Sequence, residues 1–408
     1  MSHIGSQHRY SIRLATAAAT RRLRAGLAVL LTSAVHLDAQ PQRVECIKLQ
    51  CEMQLTEVAT LERRGPETEI PHVGASVVLD SKGRVFVGPV GGYSSLAVYD
   101  PSGAFIRKLG RNGAGPGEFR HISQVFVSPT DTLYVMDISL RRLSVFDPNL
   151  RFVRTIPMFP NIRMVASSSG ALFGVGNVRS SRAVGYAVHE YSPATGERIR
   201  SSIEEPTLFG STEGTASQSA TLSSYLLAVA STGAPLVSRP APLRFHFLIG
   251  DQDEVRYQPT WLPHPAPRYR TRPGRAATGE IPRGQDILLE PMSIVYSIAL
   301  NARQQVLLVG SIPAHDWRGK KSPYDLIKDG QPGTGFDWAE RSRLLDGWYD
   351  TVFELIDLPS GRRIASTRSS GIEYRALSTT KLARLLETED GTFDIQLLRV
   401  DTFGVSRP

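Results

Sequence analysis

Short apolar runs that alternate with polar residues recur along the chain, each broken by a tight turn rich in Asp, Pro, Ser and Gly. The pattern reads LAVYDPSGAFIRKL from Leu96, LSVFDPNLRFVRTI from Leu143, AVHEYSPATGERIRSSI from Ala187, FHFLIGDQDEVRYQ from Phe245 and VFELIDLPSGRRIAST from Val352. Alternation with period two on both sides of a polar turn favours paired antiparallel strands over helix, so each segment predicts a β-hairpin. A second pair precedes each hairpin, beginning at Ala75, Ser123, Arg163, Leu226 and Ser297. In each of these pairs a Gly, Asp or Asn turn separates two apolar strands.

Four strands per unit, recurring at about 45 residues where insertions are absent, is the spacing of β-propeller blades. The C-terminal segment EYRALSTTKLARLLETEDGTFDIQLLRV, from Glu373, supplies three strands but no fourth. Leu55 to Leu61 alternates ahead of the first complete unit and is predicted to complete the last blade, leaving the ring without a free seam. The expected fold class is all-β: one six-bladed propeller over residues 55–408, its last blade closed by an N-terminal strand.

The segment from Gly110 to Val153, GRNGAGPGEFRHISQVFVSPTDTLYVMDISLRRLSVFDPNLRFV, has a Gly-Pro-Gly-Glu-Phe loop, an apolar inner strand, and a Leu-Tyr-Val strand ending at Asp137. Arg142 follows, before Val-Phe-Asp. This resembles an NHL repeat, with Ile122 where such repeats usually carry Pro. The resemblance covers this blade well, the Ala75 blade moderately, and the others as spacing alone. It implies a six-bladed, NHL-like propeller of the kind found in exported bacterial proteins of unassigned role. In such repeats Asp137 and Arg142 would be structural, holding strand ends by a charge-assisted hydrogen bond.

Two insertions interrupt the repeat. Residues 259–290 are rich in Pro and Arg without periodicity and predict a long loop, extended in part. Residues 315–349 predict a short helix after Asp337, with Asp337 as its N-cap. One insertion joins an outermost strand to the next innermost strand, and the other joins the second and third strands of a blade. In a propeller both connections lie on one face, around the central opening, where a capped pocket is expected. Arg268, Arg270 and Arg272 are candidates to grip a polyanion, against a solvated loop as the alternative. Trp317, Trp338 and Trp348 are candidates for a stacking platform, or they pack the insertion onto the propeller.

Candidate chemistry is sparse. His72 and His121 occupy nearly equivalent positions before the inner strands of adjacent repeats, from which they could face the channel and hold a divalent metal. The alternative is that they hydrogen-bond local backbone. The Gly-rich run from Gly110 leads into a strand, so it lacks the helix N-terminus of a phosphate loop. No Gly-x-Ser-x-Gly elbow, His-Glu-x-x-His helix or Cys-x-x-Cys-His motif is present, and no catalytic residue can be assigned.

Charge and export complete the picture. Ala25 to Val35 is an apolar run after Arg21, Arg22 and Arg24, with small Ala39 at a cleavage position, which reads as a secretory signal over residues 1–39. A spanning helix needs about 20 apolar residues, roughly twice this run. The route, general secretory or twin-arginine, stays open. Those residues carry five Arg and one Asp, half of the formal +8, so the mature chain has no charge argument for nucleic acid. Cys46 and Cys51, the two cysteines, lie in a segment spanning 40–54 and suggest a local disulfide in an oxidising compartment. The function expected is an exported, periplasmic or secreted, binding or scaffold module. Its ligand would be a protein, glycan or small molecule held on the face that carries the insertions. The alternative is a metal-dependent hydrolase or lyase using the central channel.

Overall fold

The computed structural model describes residues 51–404 except 71–74, 159–162, 177–184, 205–224, 241–242, 248–254, 258, 260, 262–267, 271–275, 279–286, 289–290, 292 and 323–337. Strand β1 (Cys51–Thr60) comes first and belongs to the last blade. Blade 1 is β2 (Ser76–Leu79), β3 (Val85–Val90), β4 (Ser95–Tyr99) and β5 (Phe105–Leu109). Blade 2 is β6 (Ile122–Val127), β7 (Leu133–Asp137), β8 (Arg142–Phe146) and β9 (Phe152–Pro157). Blade 3 is β10 (Arg163–Ala166), β11 (Leu172–Val175), β12 (Tyr186–Tyr191) and β13 (Arg198–Glu204). Blade 4 is β14 (Leu226–Val229), β15 (Pro235–Pro240), β16 (Leu243–Phe247) and β17 (Val255–Arg256).

After a small inserted sheet of β18 (Arg268–Arg270), β19 (Ala276–Thr278) and β20 (Ile287–Leu288), blade 5 is β21 (Ile294–Leu300), β22 (Gln305–Pro313), β23 (Tyr349–Asp357) and β24 (Arg362–Ser370). Blade 6 has β25 (Tyr374–Ser378), β26 (Lys381–Glu387) and β27 (Phe393–Gly404), and takes β1 as its outer strand. β1 pairs antiparallel with β27 from Cys51↔Gly404 to Thr60↔Gln396. This is the predicted ring closure. Each innermost strand touches that of the next blade, and β25 meets β2.

Several of the predicted turns share one geometry. The N–H of Gly83 returns to the carbonyl of Asp80, as do those of Gly103 to Asp100, Leu150 to Asp147 and Gly233 to Ala230. A type I turn followed by a left-handed residue is a standard three-residue hairpin connection. Gly103 takes the left-handed position at φ 87°, and Leu150 takes it at 62° in the next blade. Leu150 offsets that backbone cost by burying its side chain in the core shared with Phe146. Asp100 and Asp147 fix their turns by accepting backbone N–H bonds, from Ser102 and Ala104 and from Asn149 and Arg151.

Both faces of each sheet are covered by neighbouring blades, which explains why so many second and third strands are buried on every residue. There are six such cores among the described residues, one per blade interface. Phe86 and Val98 meet Val125 and Leu133 between blades 1 and 2, and Tyr134 and Met136 meet Met164 and Leu172 between 2 and 3. Val175 meets Val237 between blades 3 and 4, and Phe245 meets Val306 between 4 and 5. Phe353 meets Leu382 between blades 5 and 6, and Val85 and Val87 meet Ala383 and Ile395 where the ring closes. Six face-to-face interfaces returning to the start define a closed six-bladed β-propeller.

The insertions differ from one another. Residues 259–290 contain a three-stranded sheet, ordered β19-β18-β20, where a long loop is expected from the sequence. Its strands are two or three residues long, too short to carry a readable alternation, and they are stabilised by pairing with each other, Tyr269 with both Ala277 and Leu288. The second insertion forms helix α1 (Trp338–Trp348), as its sequence predicts. Asp337, the expected cap, lies outside the described residues. Leu345 and Trp348, one turn apart, pack with Tyr349 and Ile372 into a separate cluster.

Candidate functional site

The chain distributes its connections unevenly between the two ends of the ring. Turns from first to second and from third to fourth strands lie on one face and, among the described residues, are tight hairpins; the turn at 248–254 lies outside those residues. They latch neighbouring blades: the Ser81 backbone and hydroxyl donate to Asp131, at 2.8 and 2.6 Å, and Arg84 donates to the Pro148 carbonyl at 2.7 Å. The opposite face receives the connections from second to third strands and between blades. Both insertions leave from that face, one between β17 and β21, the other between β22 and β23.

At that face lies a cleft of about 620 Å³. It is bounded by α1 through Arg343 and Asp346, by Ile372 and Glu373 before β25, and by Arg384, Glu387 and Phe393 of blade 6. Burial pushes the Asp346 carboxyl above the usual carboxylate range, although part of the side chain is open to solvent. The charge of Arg384 and the N–H of Ile372 oppose that shift. The Arg384 guanidinium lies 5.3 Å from the centre of the Tyr374 ring. The cleft therefore mixes acids and guanidinium groups over an apolar floor.

Next to it is the mouth of the axial opening. Glu373 pairs with Arg375 at 3.1 Å, and the Arg375 guanidinium lies 5.7 Å from the Tyr296 ring centre. Tyr296 shares a 3.2 Å hydrogen bond with Thr351, whose hydroxyl donates to the Gly371 carbonyl at 2.7 Å. Desolvation holds the Tyr296 hydroxyl well above its ordinary range. Arg163 opens the innermost strand of the blade on the far side of the ring. Neighbouring innermost strands are tied by side chains: Ser76 accepts from the N–H of Val125, and Ser297 from that of Ala376.

The residues singled out from sequence fall in different places. His121 stands at the lead-in to β6, its ring 4.6 Å from that of Tyr93. Its carbonyl accepts from Ile138. His72 lies outside the described residues, and among those described no three His, Cys, Asp or Glu are placed to hold a metal. Arg268 and Arg270 stand two positions apart on β18, while Arg272 lies outside the described residues. Trp348 is buried at 2% exposure, with Trp317 against it edge-on at 6.1 Å. The indole of Trp348 thus packs the insertion instead of presenting an open face. The side chain of Trp338 lies outside the described residues. Cys51 is buried and disulfide-bonded, and Cys46, the other cysteine of the chain, lies outside the described residues.

Asp137 and Arg142 are partners in the register of β7 and β8, but each bonds backbone. Asp137, fully buried, accepts from the N–H groups of Arg120 at 2.6 Å and Leu140 at 2.9 Å. Arg142 donates to the carbonyls of Ala114, Gly115 and Glu118. The pair clamps the Gly-rich loop and the lead-in to β6. Sequence reading missed Arg163, Arg375, Tyr296 and the cleft acids, since nothing in their local pattern sets them apart from ordinary strand positions.

Residues 67–194 match the model of a family, DUF5128, described as a six-bladed β-propeller. No curated protein matches the chain. Among solved structures it is similar to a Bacteroides fragilis protein inferred to be exported, at 12% identity and TM-score 0.51, over 86% of this chain and 95% of that one. It is also similar to a DUF4221 family member from Bacteroides vulgatus, at 11% identity and TM-score 0.52, over 86% and 99%. At such identities the likeness concerns fold. No helix among the described residues is long and apolar enough to cross a membrane. The chain is a six-bladed β-propeller, and what it binds has to be sought in its own side chains.

Proposed function

We propose that the protein is an exported binding propeller that takes its ligand on the face carrying the two insertions. The observation that carries this reading is the asymmetry of the ring: tight hairpins on one face, and both insertions and the mixed-charge cleft on the other. Long connections supported by a rigid scaffold are where propellers place recognition, and concave sites with a few convergent polar groups suit small ligands. The export half of the reading rests on the apolar run from Ala25 and the small residue at Ala39.

Three measurements test it. N-terminal sequencing of the protein recovered outside the cytoplasm is expected to start just after Ala39, and retention of the full N-terminus in the cytoplasm overturns export. Hydrogen exchange of the mature protein, with ligands drawn from a thermal-shift panel of sugars, peptides and organic acids, is expected to show protection around α1, Ile372 and the loop after Glu387. Protection confined to the tight-hairpin face, or chemical conversion of the ligand, overturns the binding reading. A stoichiometric divalent metal, retained through dialysis and lost in a His72→Ala/His121→Ala variant, shifts the assignment to a metal enzyme.

A further inference from the structure

Two arginines stand at the starts of innermost strands on opposite sides of the ring. Arg163 is the first residue of β10 in blade 3, and Arg375 the second of β25 in blade 6. In a ring of six these blades face each other across the axis. Both strands begin at the face with the insertions, because each follows a connection between blades. Burial, and secondarily the charge of Arg375, makes Arg163 a weaker base than usual.

Their surroundings are unequal. Arg375 is held by Glu373 at 3.1 Å, by the Tyr374 carbonyl at 3.0 Å and by the Tyr296 ring. Arg163 has a buried Nε with no hydrogen-bond partner, and no carboxylate within ion-pair distance is found for it among the described residues. A guanidinium removed from water and left without a counter-charge is costly unless something else supplies one. Guanidinium presents its N–H groups in a planar fork that matches an oxyanion, and two forks facing one another across an opening can hold an oxyanion between them. Glu373, beside Arg375, is already engaged with it.

We infer that Arg163 and Arg375 form an oxyanion site at the axial mouth, which takes the carboxylate or phosphate group of a small ligand. The inference rests on the insertion face being the binding face and names the charge of what binds there.

The test uses the mature chain with inorganic phosphate, sulfate and acetate as probes, each titrated at constant ionic strength against chloride and followed by calorimetry and thermal shift. Saturable binding of at least one oxyanion is expected, and which of phosphate, sulfate or acetate binds tightest identifies the ligand group. Arg163→Gln is expected to weaken that binding roughly tenfold to a hundredfold, the loss typical of a charge-assisted hydrogen bond. In oxyanion-free buffer the same variant is expected to melt no lower than wild type, since it removes an uncompensated charge. A structural arginine would show the reverse, a lower melting temperature with oxyanion binding unchanged. Arg303→Gln, in a turn on the other face, serves as the control and is expected to bind as wild type. Absence of saturable binding to all three anions, or equal binding by Arg163→Gln, overturns the site. Protection of the insertion face by a neutral ligand would leave the broader binding reading standing in that event.

Discussion

Asp137 fixes the lead-in to blade 2 by accepting backbone N–H bonds from a buried position, at no exposure to solvent. Asp137→Ala leaves those donors buried and unsatisfied, which costs on the order of 3 kcal/mol or more. Urea unfolding is expected to show a lower midpoint at unchanged slope, with Asp137→Asn intermediate because one acceptor oxygen survives. His189 gives a second, pH-dependent case. Its ring is buried, with Nε2 donating to the Gly176 carbonyl at 2.8 Å and Nδ1 meeting the Ser201 hydroxyl at 2.8 Å. Burial, aided by the charge of Arg198 and opposed by the Gly176 carbonyl, lowers its pKa from 6.5 to about 4. The unfolded chain therefore binds the proton first as pH falls. The stabilisation is complete above pH 6.5 and is lost progressively towards pH 4, amounting to roughly 2 kcal/mol lost by pH 5. Denaturation at pH 7 and pH 5 is expected to show that loss in wild type and a flatter acid response in His189→Gln.

At the scale of elements, the strand predictions succeed where the alternation is long enough to read and fail where it is not. All five hairpins anticipated from sequence form; the turns at Asp100 and Asp147 share one geometry, while the one at Ser192 is a residue longer, Gly196 donating to the Ser192 carbonyl. The small sheet of β18, β19 and β20 escapes notice because its strands are two or three residues long. β1 is the element on which closure depends. It caps β27 along its length and buries Met53. Deleting residues 51–60 exposes the β27 edge and removes buried apolar area, a loss of about 5 kcal/mol. The melting temperature is expected to fall by roughly 10 °C or more, with higher oligomers in size-exclusion chromatography.

At the scale of the whole molecule, the first and last strands of the propeller are joined in space by that same pairing, Cys51 opposite Gly404. Placing residues 51–60 after Gly404 through a short turn is therefore expected to restore the stability that the deletion removes, and failure to do so would show that β1 acts through its covalent position. By itself the sequence determined the repeat, the six-blade ring, its closing strand and the sites of insertion. These follow from period-two alternation and turn residues, which act between neighbours in the chain. Only the tertiary structure decided that Trp348 is packed away, that Asp137 and Arg142 each clamp backbone, and that Arg163 and Arg375 stand on innermost strands of facing blades. The physical reason is that these encounters depend on the curvature that brings distant blades together once the ring closes. No local pattern of apolar and polar residues carries that information.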